Sequence, residues 1–333
     1  VTRPRLAVFG DIVLDLVVFR RESAARDSDA RARIVPAPGG SAANFAVWAA
    51  RAGADVAFFG QAGDDFIGRR LKAELAAEGV AVNPPEGNLR LDPGAPTGIV
   101  IVEIEAAGVA AGVEQARTMT TDRGANLTVK LDLIDPAALA RREWLHLTGY
   151  SFFEPGPRAA ALAALETCRR LGLPWSVDPS SYRLLGEYGA GRFLAEVAGA
   201  AVLFPNREEA AELTGLGDPE EAAVVLARAF PVVALKLGGE GCLVAAGGRV
   251  RHVPPARRSA AAADPTGAGD AFAAGFLCRY LGYRRGAEPG RPERFGRTVA
   301  ANEAAAPARA FAAARAGAAL AAVAVSVVGG RGR

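Results

Sequence analysis

The chain has 333 residues, half of them hydrophobic and 23% charged, with a formal net charge of +3; these values exclude a disordered or fibrous chain and describe a folded α/β-sized domain with a large core. Its arginines are spread along the sequence with no basic block interleaved with aromatics, so a nucleic-acid partner has no support. Cys168, Cys242 and Cys278 are odd in number and widely separated, which excludes a disulfide framework or paired metal motif and indicates a reduced protein.

The first predicted strand is RLAVFG (5–10), with no charged-then-apolar leader before it, and a cytoplasmic location is expected. Further short apolar runs follow: DVAFFG (55–60), WLHLTG (144–149), WSVD (175–178), AVLFP (201–205) and VVALKLG (232–238). Alanine- and leucine-rich stretches of helical length lie between most of them, such as AANFAVWAARAG and PRAAALAALETCRRLG. Strands without polar alternation, separated by helices, predict a mostly parallel sheet covered on both faces. Two segments, at about 12–37 and 97–121, carry β-type residues around turn-forming patches with no helix, and predict a small separate sheet inserted twice into the main domain. CLVAAGG and RVRHVPP predict a hairpin. Residues 283–308 are basic and punctuated by proline and glycine, and predict a surface excursion. The apolar tail AGAALAAVAVSVV (316–328) is shorter than the ~20 residues that span a membrane and predicts a buried helix.

Several motifs sit at the ends of these elements, and each admits two readings. In DPTGAGDAF (264–272), Gly267, Ala268 and Gly269 open into a helix. The unpaired N–H groups of its first turn favour an anion, and Asp270 is placed either to cap the helix or to take a proton. Gly10-Asp11 and Asp15 follow the first strand, where open parallel sheets bind ligands, and the two acids either face a ligand or are solvated loop acids. Gly39, Gly40 and Asn44 in PGGSAAN either approach a ligand or start a helix. Asn206 and Glu209 in NREE have capping-box spacing, and also suit phosphates and a hydrated Mg²⁺. Lys236, one of only three lysines, closes a strand before a glycine-rich turn and is placed either at a nucleotide phosphate or at the strand edge.

In their order along the chain, GD, GGxxxN, NxxE, a strand ending in a glycine-rich turn and DxTGAGDxF, these motifs resemble the ribokinase-like (PfkB) family of carbohydrate and nucleoside kinases. The resemblance extends over essentially the whole chain and is most specific in GGSAANFAVWAARAGADVAFFGQAGDDFIG (39–68) and DPTGAGDAFAAGF (264–276). It implies one domain over 1–333, a three-layer α/β fold with a β-sheet lid made by the two insertions, and ATP-dependent phosphorylation of a hydroxyl on a small sugar, with a nucleoside as the alternative acceptor. A non-catalytic sugar-binding relative is the third reading, and the intact Asp270 argues against it. The resemblance further implies that Asp270 is the base, with Gly267, Ala268 and Gly269 as its anion hole. Asp11, Asp15, Gly39, Gly40, Asn44 and Asn126 fall on acceptor-binding positions. Asn206, Lys236, Gly238, Gly239, Gly241 and Asn302 fall on nucleotide positions. Glu209 stands near Mg²⁺ through water, and Asp264 and Thr266 where a monovalent cation such as K⁺ binds. Ribose-specific members carry a lysine after the paired glycines; here that residue is Ser41, which speaks against ribose. A homodimer through exposed lid edges is expected; a membrane partner is not.

Other classes lack their signatures. No GxGxxG follows the first strand, no GxxxxGK[ST] occurs, and the two histidines, His146 and His252, stand near no candidate nucleophile or ligand pair.

Overall fold

The computed structural model describes residues 3–20, 27, 29–104, 117–256, 266–282, 306–326 and 329–331. Asp264, Asn302 and most of the 283–308 excursion lie outside them.

A nine-stranded sheet forms the body. Its strands are β1 (Arg5–Phe9), β4 (Asp55–Gly63), β5 (Asn88–Asp92), β8 (Trp144–Thr148), β9 (Trp175–Asp178), β10 (Val202–Leu203), β11 (Val232–Lys236), β12 (Cys242–Ala246) and β13 (Arg249–Val253), in spatial order β13-β12-β11-β10-β9-β8-β1-β4-β5. All pairs are parallel except the β11-β12 and β12-β13 pairs, so the predicted hairpin is present. The short polar strand β5, NLRLD, escapes the apolar-run criterion because it is an edge strand with little surface to bury.

Alternation along β1 shows why the runs read as strands buried on both sides. Leu6 and Val8 pack into one core, Ala7 and Phe9 into the other. The first core is roofed by α1 (Ser41–Arg51), α2 (Phe66–Ala77), α9 (Ala268–Tyr280) and α10 (Ala306–Ala324). The second is covered chiefly by α3 (Pro136–Ala140), α4 (Pro155–Leu171), α5 (Tyr182–Tyr188), α6 (Ala190–Glu196), α7 (Arg207–Thr214) and α8 (Pro219–Leu226). Helices α9 and α10 meet through small residues: a Cβ on Gly275 would lie 2.9 Å from the Ala316 carbonyl. Phe45, Phe58 and Phe276 are among the fully buried aromatics of the first core, each contributing about 1.5–3 kcal/mol by burial.

The two inserted segments form a separate sheet, β3 (Ala32–Gly39), β2 (Val13–Arg20), β6 (Thr97–Ile104) and β7 (Arg117–Gly124), in that order. Val13, Val17, Val100 and Val102 line its inner face together with Asp15. Its strands run on to Gly39 and Gly124, a few residues beyond the predicted bounds, because β3 leads directly into α1 and β7 returns to the body at Gly124. The first strand β1 has β4 on one side and β8 on the other, so the order of connection reverses between β1 and β8. Open α/β sheets bind ligands at the carboxyl end of such a point, and most of the predicted site residues among the described ones converge there.

Candidate active site

A cavity of about 240 Å³ lies between the inner face of the small sheet and the carboxyl edge of the body. One wall is built from the turn after β1. Asp11, 6% exposed, accepts the Ser41 and Ala42 backbone N–H groups at 3.3 and 3.2 Å. Helix α1 has no side-chain cap of its own, so a carboxylate thirty residues away satisfies its first turn. Arg123 donates to the same carboxylate at 3.2 Å and lies over the Tyr150 ring at 3.7 Å, and Thr148 Oγ1 donates at 3.4 Å. The paired glycines are fixed by packing. A Cβ on Gly39 would stand 2.3 Å from the Asp15 carboxylate, and one on Gly40, at φ 94°, 2.5 Å from the Asp11 carbonyl.

The opposite side is the start of α9. Gly267 adopts φ 75° and offers no side chain to the helix end, so the first N–H groups of α9 face the cavity without an intrahelical acceptor. Asp270 follows in the first turn. It accepts Ser41 Oγ at 2.7 Å and Asn44 Nδ2 at 3.2 Å, both from α1. Burial pushes its carboxyl up to about 7; the negative charge of Asp178 adds to the rise, while Ser41, Lys236 and Asn44 oppose it. A carboxylate poised near neutral pH has the basicity a general base needs.

Lys236 forms the floor. Its ammonium pairs with Asp178 Oδ2 at 2.5 Å, and would lie 3.3 Å from a Cβ built on Gly269. Burial works to lower its pKa, but Asp178, Glu209 and Asp270 together outweigh that and raise it. Asn206 and Glu209 form a full capping box: Asn206 Oδ1 accepts the Glu209 N–H at 2.8 Å, and Glu209 accepts the Asn206 N–H at 2.8 Å and its amide at 2.9 Å. The capping reading is therefore present in the structure, and the same box lines the cavity. Burial raises Glu209 to about 8, with Lys236 lowering it and Asp178 raising it further. Acids this short of positive charge fit a dication brought in with phosphates. Among the described residues no group of three or more His, Cys, Asp or Glu side chains holds a metal alone.

The structure thus gathers Asp11, Asp15, Gly40, Asn44, Asn206, Glu209, Lys236, Thr266, Gly267, Gly269 and Asp270 around one cavity, with Ala268 in the same turn and Gly39 beside Asp15. Asn126 is placed differently. Its amide donates to the Ile12 and Arg123 carbonyls and accepts the Ile12 N–H at 2.9–3.0 Å, so it clamps backbone at the edge of a neighbouring cavity. Gly238, Gly239 and Gly241 sit in the turn after Lys236; Gly241 is required there by packing, its Cβ position lying 2.2 Å from the Val253 carbonyl.

Sequence reasoning missed Asp178, whose only signal is its place at the end of the strand WSVD. It also missed Ser41 as a donor to Asp270, and Arg331 beside Asn44. Among the described residues Tyr150 is the one aromatic that lines the cavity; Phe45, Trp48 and Phe152 are buried in the cores.

Comparison with known proteins agrees with this geometry. The family model described as pfkB family carbohydrate kinase matches residues 3–332. A fructokinase of Klebsiella pneumoniae is 34% identical over 281 residues, 82% of this chain and 83% of that one. Among solved structures, a fructokinase double mutant of Vibrio cholerae O395, in its fructose-, ADP- and potassium-bound form, superimposes with a TM-score of 0.76 at 26% identity, covering 99% of this chain and 94% of that one. The adenosine kinase of Sinorhizobium meliloti, at 23% identity and a TM-score of 0.79 over 99% and 96% of the two chains, shares the fold.

Proposed function

The chain belongs to the pfkB family of carbohydrate kinases and is an ATP-dependent sugar kinase, and on that premise we propose that it phosphorylates a neutral hexose of the fructose type with Asp270 as the base. The observation that carries the mechanism is Asp270 itself: a carboxylate raised to about 7, held by two neutral donors, in the first turn of a helix whose N–H groups open into the cavity. The acceptor hydroxyl lies between Asp11, Asn44 and Asp270. Asp270 takes its proton as the oxygen attacks the γ-phosphorus in line and the bond to the ADP oxygen breaks. The N–H groups around Gly267, Ala268 and Gly269 face the charge of the transferring phosphoryl group. Lys236, Asn206 and the Gly238–Gly241 turn stand on the nucleotide side. Mg²⁺ near Glu209 and Asp178 would neutralise phosphate charge; K⁺ near Thr266 and Asp264, and adenine near Asn302, extend the same reading.

The charges of the cavity select its acceptor. Asp11, Asp15, Asp178, Glu209 and Asp270 line it against two cations, Lys236 and Arg123, each already paired with a carboxylate. Hydroxyls satisfy such acceptors, whereas a sugar acid brings a further negative charge. A single aromatic, Tyr150, gives a nucleobase little to stack on. Closure of the small sheet over the sugar would exclude water. Its edge strands β3 and β7 and the exposed Ile34 and Ile101 support a homodimer through the lid. No helix among the described residues is long and apolar enough to cross a membrane, and a cytoplasmic location completes the proposal.

The test is ADP release from ATP·Mg²⁺ against neutral sugars, sugar acids, sugar phosphates and nucleosides, with Asp270→Asn in parallel. Turnover on fructose that the variant abolishes supports the reading. Preference for an acid or a nucleoside overturns the acceptor assignment, and sugar binding without turnover overturns the kinase mechanism.

A further inference from the structure

The C-terminal residues Gly329–Arg331 lie against both halves of the site, and nothing in the mechanism above uses them. They are fastened to one face of α1, at positions 44, 48 and 51. The Trp48 indole N–H donates to the Gly330 carbonyl at 2.9 Å, the Arg51 guanidinium donates to the Arg331 carbonyl, and Arg331 Nε donates to Asn44 Oδ1 at 3.1 Å. Arg331 Nη2 donates to the Gly39 carbonyl at 2.9 Å. The fit leaves no slack: a Cβ on Gly330 would stand 2.3 Å from Asn44 Nδ2, and one on Gly267 would stand 2.3 Å from the Gly330 carbonyl.

Arg331 is 4% exposed, and its Nη1 has no hydrogen-bond partner among the described residues. Burial lowers its pKa to about 10, with Glu74, Asp15 and Glu78 holding the proton on and Arg51 opposing them. A guanidinium is expensive to bury. The contact with Asn44 says what the burial achieves. An amide has two orientations that differ by exchange of oxygen and nitrogen. Arg331 can only donate, so the atom facing it must be Oδ1, and Nδ2 is thereby turned to Asp270 Oδ2 at 3.2 Å. The reverse orientation sets N–H against guanidinium and carbonyl against carboxylate.

We propose that Arg331 is a positioning residue for the acceptor: it locks the amide of Asn44 and the carbonyl of Gly39, and through Asn44 it aims the carboxylate of Asp270. The inference rests on the assignment of Asn44 and Asp270 made above.

Steady-state kinetics of Arg331→Met, Arg331→Lys, Asn44→Ala and the Asn44→Ala/Arg331→Met pair, with fructose and ATP·Mg²⁺ and with thermal unfolding alongside, test it. Arg331→Met is expected to lower kcat/KM for fructose by at least about tenfold with KM for ATP unchanged. Arg331→Lys recovers little, because an ammonium cannot match a fork reaching two fixed acceptors. The paired variant is expected to be no worse than Asn44→Ala alone, the mark of two residues acting through one contact. Wild-type kcat/KM in Arg331→Met, or losses that simply add, overturns the proposal. If Arg331→Met does not fold, Arg331→Lys, which keeps the charge, decides by the same two criteria. An Asn44→Ala variant with wild-type kinetics removes the acceptor assignment and the proposal with it, whereas an impaired Asn44→Ala beside a silent Arg331→Met removes the proposal alone. If wild-type protein ignores fructose, the acceptor reading fails, and the same cycle is run on the sugar that turns over.

Discussion

Asp11 and Asp270 face the same cavity from opposite sides, and the two regions that hold them are built on opposite principles. Around Asp11 every demand is met: two helix N–H groups, a guanidinium and a hydroxyl converge on one carboxylate. Around Asp270 the demand is left partly open. Two neutral donors hold it, a second acid lies close enough to raise its pKa, and Lys236 is shared among Asp178, Glu209 and Asp270. On the proposed reading, full satisfaction makes a rigid wall against which a sugar is held. Incomplete satisfaction suits the proposed base, which must accept a proton near neutral pH.

The comparison breaks most sharply at Asp270. Asp270→Asn is expected to cost about 10²–10⁴ in turnover while sugar binding, followed by calorimetry, survives; retained turnover would leave the open side of the site without a chemical purpose. Stability should move the other way. With a folded pKa near 7 against an ordinary 3.8, the contribution of Asp270 to the stability of the wild-type protein is fully present below about pH 4 and is lost as pH rises through 7, because the carboxylate must then ionise where it is desolvated. The variant lacks this contribution and keeps the one from Glu209, raised to about 8, so unfolding curves across that window should show a shallower slope than the wild type.

Gly267→Ala comes next. Its φ of 75° and the 2.3 Å approach to the Gly330 carbonyl leave no place for a methyl group. The turn must shift, and with it the N–H groups aimed at the phosphoryl; a loss on the order of 10²-fold in kcat, the usual cost of removing one such donor, is expected. A smaller, directional effect tests the frustrated charges. The wild-type kcat/KM for sugar should rise with pH through about 7, as Asp270 ionises. Asp178→Asn removes the charge that raises Asp270 and releases Lys236 to lower it, so the rise moves to more acidic pH. A profile that stays in place would show that burial alone sets the base.

How much of this was legible in the sequence follows the same division. Elements that bury apolar surface announce themselves: LAVF, VVALK and the two β-rich insertions all became strands, because burial on a sheet demands those residues. Turn chemistry was equally readable, since Gly40 and Gly267 occupy positive-φ positions that few other residues tolerate. Pairings across long separations were not. The contacts of Asp11 with the start of α1, of Asp178 with Lys236 and of Arg331 with Asn44 join residues 30, 58 and 287 positions apart, and local pattern carries no record of which distant partner a polar side chain will meet. Asn126 is a further case: the family resemblance puts it at an acceptor-binding position, and in the structure its amide bonds the backbone of Ile12 and Arg123, 114 and 3 positions away.

The smallest expected effects belong to the satisfied wall, where loss of one contact weakens the scaffold more than the chemistry. Asp11→Ala uncaps α1 and strands Arg123 beside Tyr150, costing about 0.5–2 kcal/mol of stability along with a raised KM for sugar. Asn126→Ala removes three hydrogen bonds to the backbone of Ile12 and Arg123, the residues that flank Asp11 and supply its cation. If the amide only clamps, thermal stability falls while KM for sugar stays within about twofold, since no group facing the sugar is lost. A raised KM at unchanged stability would instead mean that Asn126 leaves Ile12 and meets the sugar once the lid closes, and the wall would then be as open to change as the floor.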